Sequence, residues 1–239
     1  MRGKSSSIHV KLVIDLVMGL LFILCLAFRL TGEKPHEWLG LAVFAVLTAH
    51  TWMNRRWYTA MLKGRYTFRR VINTIVNLTL LGLILLLAVG GFMNSRVIAG
   101  FIEVSGGMQY RVWHTSAAYW ALVLIGVHAG MHWNMIAGVL KKMAGRSALR
   151  PAVKIAMRTA VCLILAGGVW ASFDREMGSK LFLGFGFDYW PSERPAALFY
   201  LSMFSIFSVY AFSAHYFVRL TEKYQVARQP VPPVRSVKI

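Results

Sequence analysis

Residues 113–133, WHTSAAYWALVLIGVHAGMHW, and residues 36–54, HEWLGLAVFAVLTAHTWMN, decide how this chain is read. Each is an apolar stretch of helical length carrying two histidines fourteen residues apart, His114 and His128 in one and His36 and His50 in the other. Fourteen residues make about four helical turns, so the histidines of a pair share one face at two depths, roughly 21 Å apart along the axis. Such a face presents two ligands, one near each end of its helix.

Composition fixes the surroundings of those helices. Of 239 residues, 57% are hydrophobic and 15% charged, and the apolar residues gather into runs of membrane-spanning length. The chain reads as an integral membrane protein, all-α, with six spans forming a helix bundle. A formal charge of +18 raises the question of nucleic acid. The basic residues, however, cluster between apolar runs and alternate in density from loop to loop, which is a topology signal and not a nucleic-acid footprint.

Taken in order, residues 1–11 form a basic tail and Leu12 to Phe28 the first span, read as retained because no small-residue cleavage site follows it. Asp15, costly inside a span, reads as the partner of Lys11 one turn earlier. The second span runs from His36 to Asn54, the third from Val71 to Phe92, the fourth from Trp113 to about Val139, the fifth from Val153 to Phe173 and the sixth from Ala196 to Val218. Asn73 and Asn77 in the third span read as interhelical hydrogen-bonding groups. Residues 12–218 thus form one membrane domain, and 219–239 a basic tail with too little patterned apolar content to fold alone. Of 27 lysines and arginines, 20 fall on the side of the termini and 7 on the other, while the nine acids divide 2 against 7. The positive-inside rule then puts both termini in the cytoplasm, with His36 and His114 near the outer surface.

Spans two and four run in the same direction, so His36 is expected level with His114 and His50 level with His128. Two opposed imidazoles at each of two depths suit axial ligation of two haem b groups in a di-haem four-helix core. Bis-histidine iron is coordinatively saturated and favours electron transfer over oxygen binding. Small residues that let a porphyrin approach the backbone are Gly40, Ala49, Ala117, Ala118, Gly126 and Gly130. Arg111 at the outer end and Arg55 or Arg56 at the inner end are candidate propionate partners, each with an equally ordinary reading as an interface anchor. His132 lies one turn beyond His128 and could replace it by spacing alone. The internal repeat, aligning HTWMN with HAGMH, matches His128 to His50 and His132 to Asn54, so His132 reads as a neighbour of an inner haem edge, a propionate or a quinone. His215 reads as interfacial and His9 as a tail residue. Cys25 and Cys162 belong to no CxxC, CxxCH or zinc spacing and read as packing residues.

The paired spacings resemble those of cytochrome b in quinol-oxidising respiratory complexes, in ligand geometry and not in quinone-site motifs. A fuller resemblance covers roughly residues 12–218. HEWLGLAVFAVLTAHTWMNRRW, WHTSAAYWALVLIGVHAGMHW and GFDYWPSERPAALFYLSMFSIFSVYAFSAHYF look like bacterial flavinylation-associated membrane cytochromes, a family described as a domain of unknown function. The resemblance implies a di-haem b-type cytochrome that moves electrons between the membrane and an extracytoplasmic redox partner, a flavoprotein or a multihaem cytochrome. Exchange with a quinone at one end is the matching expectation at the membrane. The acids Asp174, Glu176, Asp188 and Glu193 form a candidate docking loop, with a solvated cap as the ordinary alternative. Two competing readings are a membrane metalloenzyme using the HAGMH pair and a haem-free transporter or structural subunit.

Overall fold

A computed structural model of the chain describes residues 2–98, 100–101, 107–143, 150–184 and 189–227. Among the described residues it contains ten helices and no strand: α1 (Arg2–Leu26), α2 (Phe28–Thr31), α3 (Glu33–Met53), α4 (Arg56–Met61), α5 (Phe68–Asn94), α6 (Met108–Met131), α7 (Trp133–Met143), α8 (Pro151–Asp174), α9 (Met177–Leu181) and α10 (Ala196–Ala227). Local chemistry sets several of the ends. Thr67 caps α5 by accepting from the Arg70 N–H, and Pro151 opens α8, where a missing N–H costs nothing. Gly32, at φ +82, supplies the left-handed turn between α2 and α3.

Among the described residues four helices, α1, α5, α8 and α10, are long and apolar enough to cross a membrane, and five if the bent pair α6 and α7 is counted as one span. The surface agrees: Leu16 at 62% exposure and Leu163 at 68% sit on outward apolar faces of the kind that lipid contact favours. The expected count of six fell short at α3. Its 21 residues span about 31 Å, but His36, Glu37 and His50 lower its apolarity below that of a plain lipid-crossing helix. The residues that draw attention to α3 are the ones that make it a poor hydrophobic segment.

Three boundaries differ from the sequence expectation. The fourth span ends at Met131, not Val139: the helix stops at His132 and the chain turns by 64° into α7. With Lys141 and Lys142 in its last turn and Trp133, Met135, Leu140 and Met143 exposed, α7 has the composition of a helix lying in the membrane interface. The first helix already includes residues 2–11, and the last continues through Ala227, well into the expected tail.

The centre of the molecule is α6, which packs on α5 along one side and on α10 along the other, with α8 behind α10. Phe22, Tyr119, Leu122, Phe199, Met203 and Ile206 form the main buried cluster, and Val76, Met131, Ala214 and Val218 a second one toward the His132 end. Small residues allow the close approaches. A Cβ on Gly130 would stand 2.1 Å from the Ala211 carbonyl oxygen, on Gly126 2.8 Å from that of Phe207, and on Gly168 2.3 Å from that of Ser205. Gly126 and Gly130 therefore serve the α6–α10 seam. Helix α3 packs chiefly on α1, with lighter contact to α5, and none of its residues is fully buried.

Candidate metal centre

The first histidines of the two repeats meet. The rings of His36 on α3 and His114 on α6 have centroids 6.1 Å apart and planes crossed at 75°. An iron joined to two imidazole nitrogens, each at about 2.0 Å, would hold the ring centroids roughly 6 Å apart. The donor set at this level therefore matches a bis-histidine iron in residue type and in spacing. The rings meet although the two backbones do not pack closely, α3 having α1, α2 and α5 as its neighbours.

At the other level His128 lies within electrostatic reach of His50, Asp15 and His132. His50 and His128 are neighbours without ring contact, whereas the His128 and His132 rings are 4.8 Å apart. Since first histidine meets first and second lies near second, α3 and α6 run in the same direction.

The orientation of the rings has a common cause. Nδ1 of His36 is 3.0 Å from the Cys25 carbonyl oxygen, that of His50 2.6 Å from the Asp15 carboxylate and that of His128 2.8 Å from the Asn77 amide oxygen. In each case the acceptor calls for the proton on Nδ1, which leaves Nε2 as the unprotonated nitrogen that a metal takes. Nδ1 of His114 is also turned to a backing helix, α5, where the site of a Cβ on Gly90 lies 3.3 Å from it. The Leu87 carbonyl is near, but no well-aligned hydrogen bond forms. Helix α1 thus backs both histidines of α3, and α5 backs both histidines of α6.

This arrangement reassigns two polar residues. Asp15 does not pair with Lys11; it pairs with His50, and the Lys11 ammonium donates to the Asn54 amide oxygen at 2.8 Å. One helical turn separates Lys11 from Asp15, but α3 offers each a partner of better geometry. Asn77 makes the expected interhelical bond, and its partner is His128. The repeat also holds at its end: Asn54 and His132 are the C-caps of α3 and α6, with φ, ψ of −104, 10 and −97, 5. Asn54 Nδ2 stands 3.5 Å from His50 Nε2, and the His132 ring stacks toward His128 in the corresponding place.

Of the basic candidates, Arg55 donates to the Trp52 carbonyl and lies 4.8 Å over its ring, Arg56 is exposed, and Arg111 is exposed beside Tyr110 and Trp113. Near the second level stands a cation the sequence reading missed, Arg69. It lies close to His132, bonds Glu222 at 2.6 Å and reaches the Met131 carbonyl at 3.2 Å. A base in the first turn of α5, against the helix dipole, was the available signal.

The Glu37 carboxylate, next to His36, accepts from Ser95 Oγ at 2.6 Å and from the N–H groups of Arg96, Val97 and Ile98. It ties the start of α3 to the end of α5. In the acidic loop, Asp174 is paired with Arg194 at 3.1 Å, Glu193 accepts from Ser192, and Asp188 lies outside the described residues. Glu176 has a left-handed backbone, φ 48, at the start of α9. The His215 ring stands edge-on to the adjacent Tyr216 ring, with centroids 5.2 Å apart.

Among the described residues no group of three or more histidine, cysteine or carboxylate side chains is placed to hold a metal ion, so what this fold offers is pairs. In comparison with known proteins, no family model, no curated protein and no solved structure matches the chain.

Proposed function

We propose that this chain is a membrane di-haem b-type cytochrome. It would be an electron-transfer subunit, exchanging electrons between a quinone pool or inner partner and an extracytoplasmic flavoprotein or multihaem cytochrome. The observation that carries the reading is the His36–His114 ring pair at 6.1 Å, with the Nδ1 atoms of His36, His50 and His128 each engaged by a backing helix. Haem b between two imidazoles supplies a saturated iron that takes up and returns one electron without binding oxygen.

The chain's own residues do the rest. His36 and His114 hold one group and His50 and His128 the other. The Cys25 carbonyl, Asp15 and Asn77 fix the tautomers of His36, His50 and His128 so that the Nε2 of each keeps its lone pair. Apolar side chains of α1, α3, α5 and α6 exclude water. Arg69 is the inner candidate for a propionate and Arg111 the outer one, with Arg55 anchoring the interface. In this reading α3 is a sixth span, held by its histidine level and by α1 in place of plain lipid partition. Both termini then lie in the cytoplasm of a bacterial inner membrane.

The test is a dithionite-reduced minus oxidised absorbance spectrum of the purified protein with haem quantified per chain. A low-spin b-type spectrum with about two haems per chain is expected. A well-folded preparation that takes up no haem would remove the reading.

A further inference from the structure

The turn between α4 and α5 borders an open cleft of about 590 Å³ at the end of the molecule where α6 gives way to α7. Its wall is mixed. Lys63, Arg69 and Arg70 stand there with Trp57, Met61 and Met131, and no carboxylate is among the residues lining it. The stretch from Arg55 to Arg70 holds six basic residues and no acid, so the local field favours an anion.

The basic wall is held in shape by its own hydrogen bonds. Arg70 donates to the carbonyls of Ala60, Lys63 and Arg65 and lies 4.5 Å over the Tyr66 ring, so one side chain gathers the whole turn. Gly64, at φ +82, makes the reversal, and a Cβ there would stand 3.2 Å from Arg70 Nη1. Donors remain after this work is done. A guanidinium carries five N–H groups; Arg70 gives three hydrogen bonds to those carbonyls, and Arg69 gives two, to Glu222 and the Met131 carbonyl. The Lys63 ammonium makes no hydrogen bond or ion pair among the described residues.

Convergent spare donors match an anion with several acceptor oxygens, as a phosphate has. The apolar side of the wall decides which phosphate. A free ion keeps its water and gains nothing from Trp57, Met61 and Met131, whereas a phospholipid brings a glycerol and acyl end for them to cover. Tryptophan beside basic residues is the composition of a membrane–water boundary, and a basic pocket between helices at that depth suits an anionic headgroup. Helix α7 leaves from His132 at the same end and adds Lys141 and Lys142.

We propose that this cleft binds an anionic phospholipid, with Lys63 and Arg70 on the phosphate oxygens and Trp57 and Met61 against the glycerol end of the acyl chains. The proposal needs the membrane character of the chain and not its haem, since the cytochrome reading uses only Arg69 among the three cations.

The experiment uses the full chain in detergent, with phosphatidylglycerol, phosphatidylcholine or inorganic phosphate added and bound molecules counted by native mass spectrometry. Phosphatidylglycerol should be retained in preference to phosphatidylcholine, whose choline cation the cleft repels, and excess inorganic phosphate should not displace it. Lys63→Gln should weaken that binding about fivefold, the worth of one cation against an anionic headgroup. Ala60→Trp, which fills the cleft from its exposed wall, should weaken it at least as far. Arg65→Gln removes the same charge from the same turn but outside the cleft wall, and should change binding by less than about twofold. Equal losses in Lys63→Gln and Arg65→Gln would overturn the proposal, because a diffuse basic surface then accounts for the lipid. So would equal retention of the two lipids, binding of phosphate alone, or loss of the lipid on loading haem, which would give these cations to a propionate. A haem-free chain that still holds the lipid leaves the cleft standing and removes only the cytochrome reading.

Discussion

Asp15 and His50 are 35 residues apart in the chain and 2.6 Å apart in the fold, Nδ1–H of the imidazole donating to the carboxylate. The carboxylate makes the opposite ring nitrogen a stronger donor and places a negative charge near whatever that nitrogen binds. Only the second level of the site has such a partner; at the first, His36 donates to a neutral carbonyl. The two levels are therefore electrostatically unequal, and the two haems proposed for them should differ in redox potential.

Asp15→Asn removes that charge while keeping an acceptor. A negative charge favours the more positive, oxidised iron, so its removal should raise the midpoint potential of the haem at His50 and His128 and leave the other unchanged. Retention of that haem should weaken by about tenfold. A redox titration followed at both haem bands checks this, and a shift shared equally by the two bands would contradict the assignment.

His114→Ala and His128→Ala separate the levels. Each variant should drop from two haems per chain to one, the first losing the haem shared with His36 and the second that shared with His50. Pyridine haemochrome quantification reads the count directly. Full haem content in both variants would sink the ligand assignment.

Glu37→Gln tests the latch between α3 and α5. The amide keeps one oxygen but loses the charge that Ser95 and three backbone N–H groups now share. The site is partly open to solvent, so the expected loss is only about 1 kcal/mol. Thermal unfolding in detergent should show a small decrease, and release of haem from the His36–His114 level should precede release from the other.

Gly130→Val and Gly40→Ala should behave oppositely. A Cβ at 130 meets the Ala211 carbonyl oxygen at 2.1 Å, and backbone on backbone cannot give way. The α6–α10 seam must open, at a cost of about 3 kcal/mol or more. A Cβ at 40 has nothing within 4 Å, and replacing a mid-helix glycine there should leave the unfolding temperature unchanged or raise it. Equal losses in the two variants would contradict the packing described for α6.

The sequence by itself determined the helical class, the membrane character and the two histidine-bearing helices. All three rest on composition and on short-range periodicity, which the chain carries locally. The fourteen-residue spacing fixed which residues share a face, because helix geometry is the same wherever the helix sits. Tertiary structure decided what each face meets. Asp15 reads locally as the partner of Lys11, and only the packing of α1 on α3 gives it to His50. Gly126 and Gly130 read as making room for a ligand on one face of α6, yet α10 takes that room on another. The break at His132 was hidden because apolar residues continue past it; the turn appears only where the C-cap closes and α7 leaves at 64°. Pairings between helices depend on rotation and depth, and neither is written in the period of a single segment.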